Sequence, residues 1–252
     1  MSKDSNDSPL DSPPDSPLPH VRWPRYGVDA PAFPVVSGIA GAACYLAAGR
    51  WRPGRKVMVA AGTALMASTG IFLNTTLHGK LRIWRRELDR AGLKGNEQLL
   101  DLGCGRGAML IEAAKRLPMG RAVGVDLWSE KDQSGNRPEV TLANATAAGV
   151  ADRVEIHTAD MTALPFEDNS FDVVTSALAI HNIPSPEGRY SAVNEAMRVL
   201  RPGGQLIIAD FTPMATTYAA RIGHGTVRAL GPGYWYGGPW LRVALLHVVK
   251  EH

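Results

Sequence analysis

From residue 98 onward, short apolar runs take turns with amphipathic ones, and this alternation constrains the fold more than any other feature. EQLLDLG, RAVGVDL, RVEIHTAD, FDVVTSALAI and QLIIADF have the length and composition of strands. Between them lie helical stretches: GAMLIEAAKRL, stopped by Pro118; EVTLANATAAG, closed by Gly149 as a C-cap; and residues 188–200. LRIWRRELDRAG precedes the first strand and places Leu81, Trp84, Leu88 and Ala91 on one helical face. A short helix near 216–222 and two further strands, TVRAL and LRVALLHVVKE, complete the series. Repeated β-α units predict an α/β fold, with a parallel sheet and right-handed crossovers.

Ahead of this region the chain changes character twice. Residues 1–30 carry Asp-Ser-Pro three times, at 7–9, 11–13 and 15–17, and offer little to bury. They predict a disordered tail, with the Ser-Pro pairs as possible phosphorylation sites. Two uncharged runs follow, VVSGIAGAACYLAAG and VMVAAGTALMASTGIFL, separated by RWRPGRK. This pattern predicts an apolar helical hairpin over 31–78, each arm close to the length that spans a bilayer. Small residues such as Gly38, Gly41, Gly62 and Gly70 would let the two helices approach closely. The alternative is an alanine-rich hairpin buried against a soluble domain. Topology is unusual in either case. The turn and the following HGKLRIWRRELDR are both basic, so a spanning hairpin cannot keep all its cations on the cytosolic side. The hairpin either translocates a charged turn or dips in from the cytosolic face.

A net charge of +3 does not imply a nucleic-acid partner. The two cysteines, Cys44 and Cys104, suggest neither a disulfide framework nor a metal site, and point to a reducing compartment.

The chemistry is concentrated at strand ends. In LLDLGCGRG, Asp101 precedes glycines at 103, 105 and 107, whose missing side chains would let a ligand meet bare backbone. Asp126 ends the next strand, where a carboxylate can accept from both hydroxyls of a ribose; the plainer reading is a helix cap. Asp160 ends the third, where it could accept from an adenine amino group or simply form a turn. Three acids at successive strand ends suit a ligand with a cationic amino-acid end, a ribose and an adenine. A dinucleotide dehydrogenase is the runner-up, but it would use GxGxxG rather than the GxGxG found here.

LLDLGCGRG, VGVD, TADMTALPFEDNSFDVV and EAMRVLRPGGQLIIAD closely resemble the class I S-adenosylmethionine-dependent methyltransferases. The likeness is to the branch holding ubiquinone/menaquinone, tocopherol and sterol methyltransferases, and covers roughly 81–252. It implies a Rossmann-like, seven-stranded doubly wound sheet with an antiparallel last strand, and S-adenosyl-L-methionine as cofactor. By the same resemblance, Asp101 and Gly103 lie at the methionine end and Gly105 lines the turn. Asp126 with Leu127 holds the ribose, Asp160 with Met161 holds the adenine, and Ala177 lies along the cofactor. His181 and Asn182 follow the fourth strand, the position that faces the donor methyl in that family. His181 could take a proton there, or line the pocket without titrating; Asn182 could orient an acceptor oxygen.

Other acceptors are disfavoured. SALAIHNIPS lacks the Asp/Asn-Pro-Pro-aromatic motif of nucleobase methylation and the acids of metal-dependent catechol enzymes. The chain has too few cysteines for an arsenite enzyme. Two stretches are unusual: WSEKDQSGNRPE after Asp126, where Trp128 could stack beside the adenine, and GPGYWYGGPW, whose aromatics could cover a substrate or close the sheet edge. The expectation is a disordered tail (1–30), a hairpin (31–78) and a methyltransferase domain (79–252). That domain would face the cytosol at a membrane and act on a small apolar acceptor, without nucleic acid or metal. The alternatives are a soluble-metabolite enzyme and a non-catalytic cofactor-binding assembly protein.

Overall fold

The structure is a computed structural model describing residues 26–251. The Asp-Ser-Pro repeats lie outside the described residues. Seven strands form one sheet in the order β3-β2-β1-β4-β5-β7-β6. They are β1 (Gln98–Leu102), β2 (Arg121–Asp126), β3 (Val154–Thr158), β4 (Phe171–Ala177), β5 (Leu200–Phe211), β6 (Thr226–Ala229) and β7 (Val243–Val249). β1 to β5 are parallel, and β7 runs antiparallel between β5 and β6. Seven helices accompany them among the described residues: α1 (Ala32–Arg50), α2 (Arg55–Asn74), α3 (Lys80–Ala91), α4 (Ala108–Ala114), α5 (Pro138–Ala147), α6 (Pro186–Val199) and α7 (Thr212–Ile222).

Both faces of the sheet are covered, which is why the strands read as nearly continuous apolar runs rather than alternating ones. Leu99, Val173 and Ile207 pack with α3 and α4 on one face. Their neighbours Leu100, Val174 and Ile208 pack with α6 and α7 on the other. In α3 the buried face is Ile83, Trp84 and Leu88, rotated slightly from the expected one, since Ile83 replaces Leu81. The helix stops at Gly92 in the left-handed conformation, and Gly149 adopts the same conformation just after α5.

α1 and α2 pair as a hairpin, with small residues at the contact and hydroxyl side chains bonded across it. The Ser37 and Thr69 hydroxyls lie 2.8 Å apart, Tyr45 and Thr63 2.9 Å apart, and Gly41 faces Gly62. The outer surface is apolar and uncovered: Val36 is 65 % exposed, Ile39 66 % and Leu46 65 %. This face of the pair is not covered by the rest of the described residues. Both arms are long and apolar enough to cross a membrane. The helical run does not break at the expected boundary of 78. It continues through a π-helical turn, Thr75–Gly79, directly into α3, making one helix of 37 residues, about 55 Å long. The π turn exposes hydroxyls to distant partners. Thr75 Oγ1 donates to the Trp235 carbonyl at 2.7 Å, and Thr76 Oγ1 accepts from the Asp29 N–H at 2.8 Å.

Candidate active site

A cavity of about 330 Å³ opens at the carboxyl edge of the sheet, beside the reversal of strand order between β1 and β4. Asp160, Met161, Asp126, Leu127, Asp101, Gly103, Gly105, Ala177 and Asn182 all line it. The strand order β3-β2-β1-β4 sets Asp160, Asp126, Asp101 and Ala177 in a row across three strand gaps, about 15 Å. That row suits an elongated molecule.

Each acid is held differently. Asp101 is 1 % exposed and sits opposite Thr175 in the β1–β4 register, so the Thr175 hydroxyl donates to it at 3.1 Å. Burial, with a smaller contribution from Asp126, pushes its carboxyl up to about 8, although the Thr175 bond opposes this. A buried carboxyl without a cation is a place for a ligand ammonium. Asp126 accepts from the backbone N–H groups of Gly105 at 2.8 Å and Trp128 at 2.6 Å, and from Asn136 Nδ2 at 3.1 Å. Burial raises its pKa and these three donors partly offset the rise. Asp160 is exposed and faces the cavity, and its carboxylate accepts from Thr162 N–H at 2.8 Å to form a turn.

The glycine turn is tighter than an open ligand platform. A Cβ on Gly103 would come within 2.1 Å of Ala179 Cβ, and one on Gly105 within 2.5 Å of Gln133 Oε1. Both residues have positive φ. They make room for the chain itself as well as for a ligand. Burial, then the charges of Asp101 and Asp126, push the Cys104 thiol well up, so it is no nucleophile.

His181 does not line the cavity, in contrast to its expected place beside the reacting group. It lies in the short turn Ile180–Asn182 with its ring against Phe211. Its Nδ1 is 2.9 Å from Asp210 Oδ1, close enough to pair when protonated though not in hydrogen-bond alignment. The buried Asp210 carboxylate also accepts from the Tyr218 hydroxyl at 3.3 Å. The turn therefore places Asn182 at the cavity and His181 away from it, beside Asp210 and Phe211. Trp128 is likewise outside the lining: its indole N–H donates to Thr158 Oγ1 at 2.7 Å.

Most of the remaining wall comes from residues that sequence reasoning did not place there, Tyr234 and Tyr236 excepted. Asp29 belongs to the segment expected to be disordered, yet it accepts from Lys80 Nζ at 2.9 Å, Gln133 Nε2 at 2.9 Å and the Tyr236 hydroxyl at 2.8 Å. Lys80 and Trp84 arrive on α3, and Tyr234 and Tyr236 on the β6–β7 connection. Thus two of the four flagged aromatics line the cavity, whereas Trp240 is exposed. Phe33, Phe72, Tyr236 and Tyr234 form a chain of ring contacts from the foot of the hairpin to the cavity, with centroids 4.7, 5.3 and 5.7 Å apart.

The family model described as a methyltransferase domain matches residues 100–208. The chain is 36 % identical over 134 residues to the ubiquinone/menaquinone biosynthesis C-methyltransferase UbiE of Roseobacter denitrificans, covering 53 % of this chain and 50 % of that protein. It is also 36 % identical over 143 residues to the 27-O-demethylrifamycin SV methyltransferase of Amycolatopsis mediterranei, covering 56 % of this chain and 48 % of that one. It thus spans about half the length of these curated relatives. Among solved structures, a SAM dependent methyltransferase from Aquifex aeolicus shares the fold, with a TM-score of 0.51 and 19 % identity, over 65 % of this chain and 87 % of the other.

Proposed function

We propose that this chain carries an S-adenosylmethionine-dependent methyltransferase domain and methylates a small, apolar, quinone-like acceptor at a membrane that holds the 32–74 hairpin. The observation that carries this reading is the inside-out hairpin. Its polar groups face each other, its apolar groups face outward, and it continues as one helix to Lys80 and Trp84 at the cavity. An acceptor leaving the apolar phase beside that helix would meet the aromatic end of the cavity first.

S-adenosylmethionine supplies a methyl group on a positively charged sulfur. The residues fit it. Asp101 would hold the ammonium, Asp126 the ribose beside Leu127, and Asp160 with Met161 the adenine. Ala177 would lie along the cofactor. Gly103 and Gly105 shape the turn beneath it. What this transfer asks of the protein is alignment and exclusion of water. Trp84, Met109, Tyr234 and Tyr236 form the apolar wall for that purpose. Asn182 would orient an acceptor oxygen, and His181, packed beside Asp210 and Phe211, would support the turn that carries it. The curated relatives include a C- and, by its name, an O-demethyl-substrate enzyme, so the UbiE likeness favours carbon on a quinone-like ring.

Calorimetry should find micromolar binding of S-adenosylmethionine, about −8 kcal/mol, that weakens at least tenfold in Asp126→Ala. Label from the methyl group should then enter a molecule in a lipid extract. A folded wild-type protein that binds no cofactor, or that labels only water-soluble compounds, would refute the reading.

A further inference from the structure

We propose that Asn136 is a further cofactor-binding residue, whose amide oxygen accepts one of the two ribose hydroxyls beside Asp126. This rests on the cofactor reading above. Asn136 is 3 % exposed and lines the cavity. Its amide orientation is fixed by chemistry. The Asp126 carboxylate, lying 3.1 Å away, can only accept, so the NH₂ group must face it. The oxygen is thereby turned elsewhere, and it is buried without a hydrogen-bond partner. Buried acceptors are almost always paired, and an unpaired one beside a ligand cavity marks where a donor arrives. An oxygen that only accepts needs O–H or N–H, and a ribose hydroxyl held at Asp126 is an O–H within the same corner of the cavity.

The loop around Asn136 is built to hold it still. Ser134 Oγ accepts from Val28 N–H at 2.9 Å and Ser134 N–H donates to the Val28 carbonyl at 3.0 Å. Ala30 N–H donates to the Asp132 carbonyl at 2.8 Å. On the other side, Thr141 Oγ1 donates to the Gly105 carbonyl at 2.7 Å and Asn144 Nδ2 to the Arg106 carbonyl at 3.0 Å, tying α5 to the glycine turn. Asn136 therefore sits between two anchored segments.

The test is calorimetric binding of S-adenosylhomocysteine and its 2′-deoxy and 3′-deoxy counterparts to the full chain. Wild type should prefer the parent over each deoxy compound by tenfold or more. In Asn136→Ala, discrimination against one deoxy compound should fall to within about twofold, while the other is still rejected, because one oxygen accepts one hydroxyl. Asn136→Ser, which keeps a small acceptor, should restore part of the loss and serves if the alanine variant melts early. Equal loss for both hydroxyls would mean that Asn136 only steadies Asp126, and unchanged discrimination would mean that its oxygen is met by water. Either result overturns the assignment. Absence of binding of the parent to wild type would overturn the cofactor reading itself, and this assignment with it.

Discussion

Asp101 concentrates the electrostatic tension of the site. Its carboxyl titrates at about 8 in the folded protein, against about 4 in an unfolded chain. Between those values the folded state holds a proton that the unfolded state has lost, so the Asp101 share of stability falls as pH rises from about 4 to 8. Below that window both states are protonated and the effect vanishes. Asparagine mimics the protonated acid. Asp101→Asn should therefore melt higher than wild type at pH 8, with the gap closing toward pH 4, and should bind S-adenosylmethionine at least tenfold more weakly. Thermal melts across pH and calorimetry at pH 7 check the two halves; a gap between variant and wild type that does not change with pH would show that Asp101 titration does not govern stability. The three strand-end acids were legible in the sequence because each ends a periodic apolar run. Asn136 was not, because its orphaned oxygen is a property of packing that no local pattern carries.

At the scale of elements, the strands, the glycine turn and the antiparallel β7 follow from local periodicity and family likeness. The strap formed by residues 26–30 does not. Asp29 meets Tyr236 across 207 positions and Gln133 across 104, and nothing in a proline-rich polar segment announces such contacts. Gln133 then relays the strap to the glycine turn, since its Oε1 accepts from Arg106 N–H at 2.7 Å. The buried Lys80 ammonium depends on Asp29 and the Tyr26 carbonyl. Removing the carboxylate strands that charge, a loss that approaches 3–5 kcal/mol for a fully buried pair. Asp29 is partly exposed, so about 2–3 kcal/mol is the expectation, a drop of roughly 5–10 °C in Tm for Asp29→Ala. Asp29→Leu combined with Lys80→Met should recover much of it, because no unpaired charge remains. A single variant that melts like wild type would mean that the strap contributes nothing to holding the cavity closed.

For the whole molecule, one 37-residue helix joins an uncovered apolar hairpin to the wall of the cavity, and under the proposed function this continuity would bring a membrane-borne acceptor to the site. The hairpin and the following amphipathic helix are separate elements in the sequence reading, because an uncharged run gives way to a basic one near residue 78; the structure joins them through a π turn whose Thr75 and Thr76 hydroxyls make tertiary hydrogen bonds. The exposed apolar side chains of α1 are each worth about 1.5–3 kcal/mol on transfer from water. Replacing Val36, Ile39 and Leu46 with aspartate reverses that gain and adds about 2.5–3.5 kcal/mol for each charge near a membrane centre. All three project away from α2 and from the α/β domain, so the substitutions break no packing. Wild type should pellet with lipid vesicles and resist extraction by high salt, which releases proteins held only by the basic residues flanking the hairpin. The triple variant should stay in the supernatant, bind S-adenosylmethionine with unchanged affinity, and lose methyl transfer to vesicle-borne acceptors while retaining it toward detergent-dispersed ones. Wild type that remains soluble, or a variant that loses cofactor binding together with membrane binding, would leave the hairpin as a structural arm of the domain rather than the route by which the acceptor arrives.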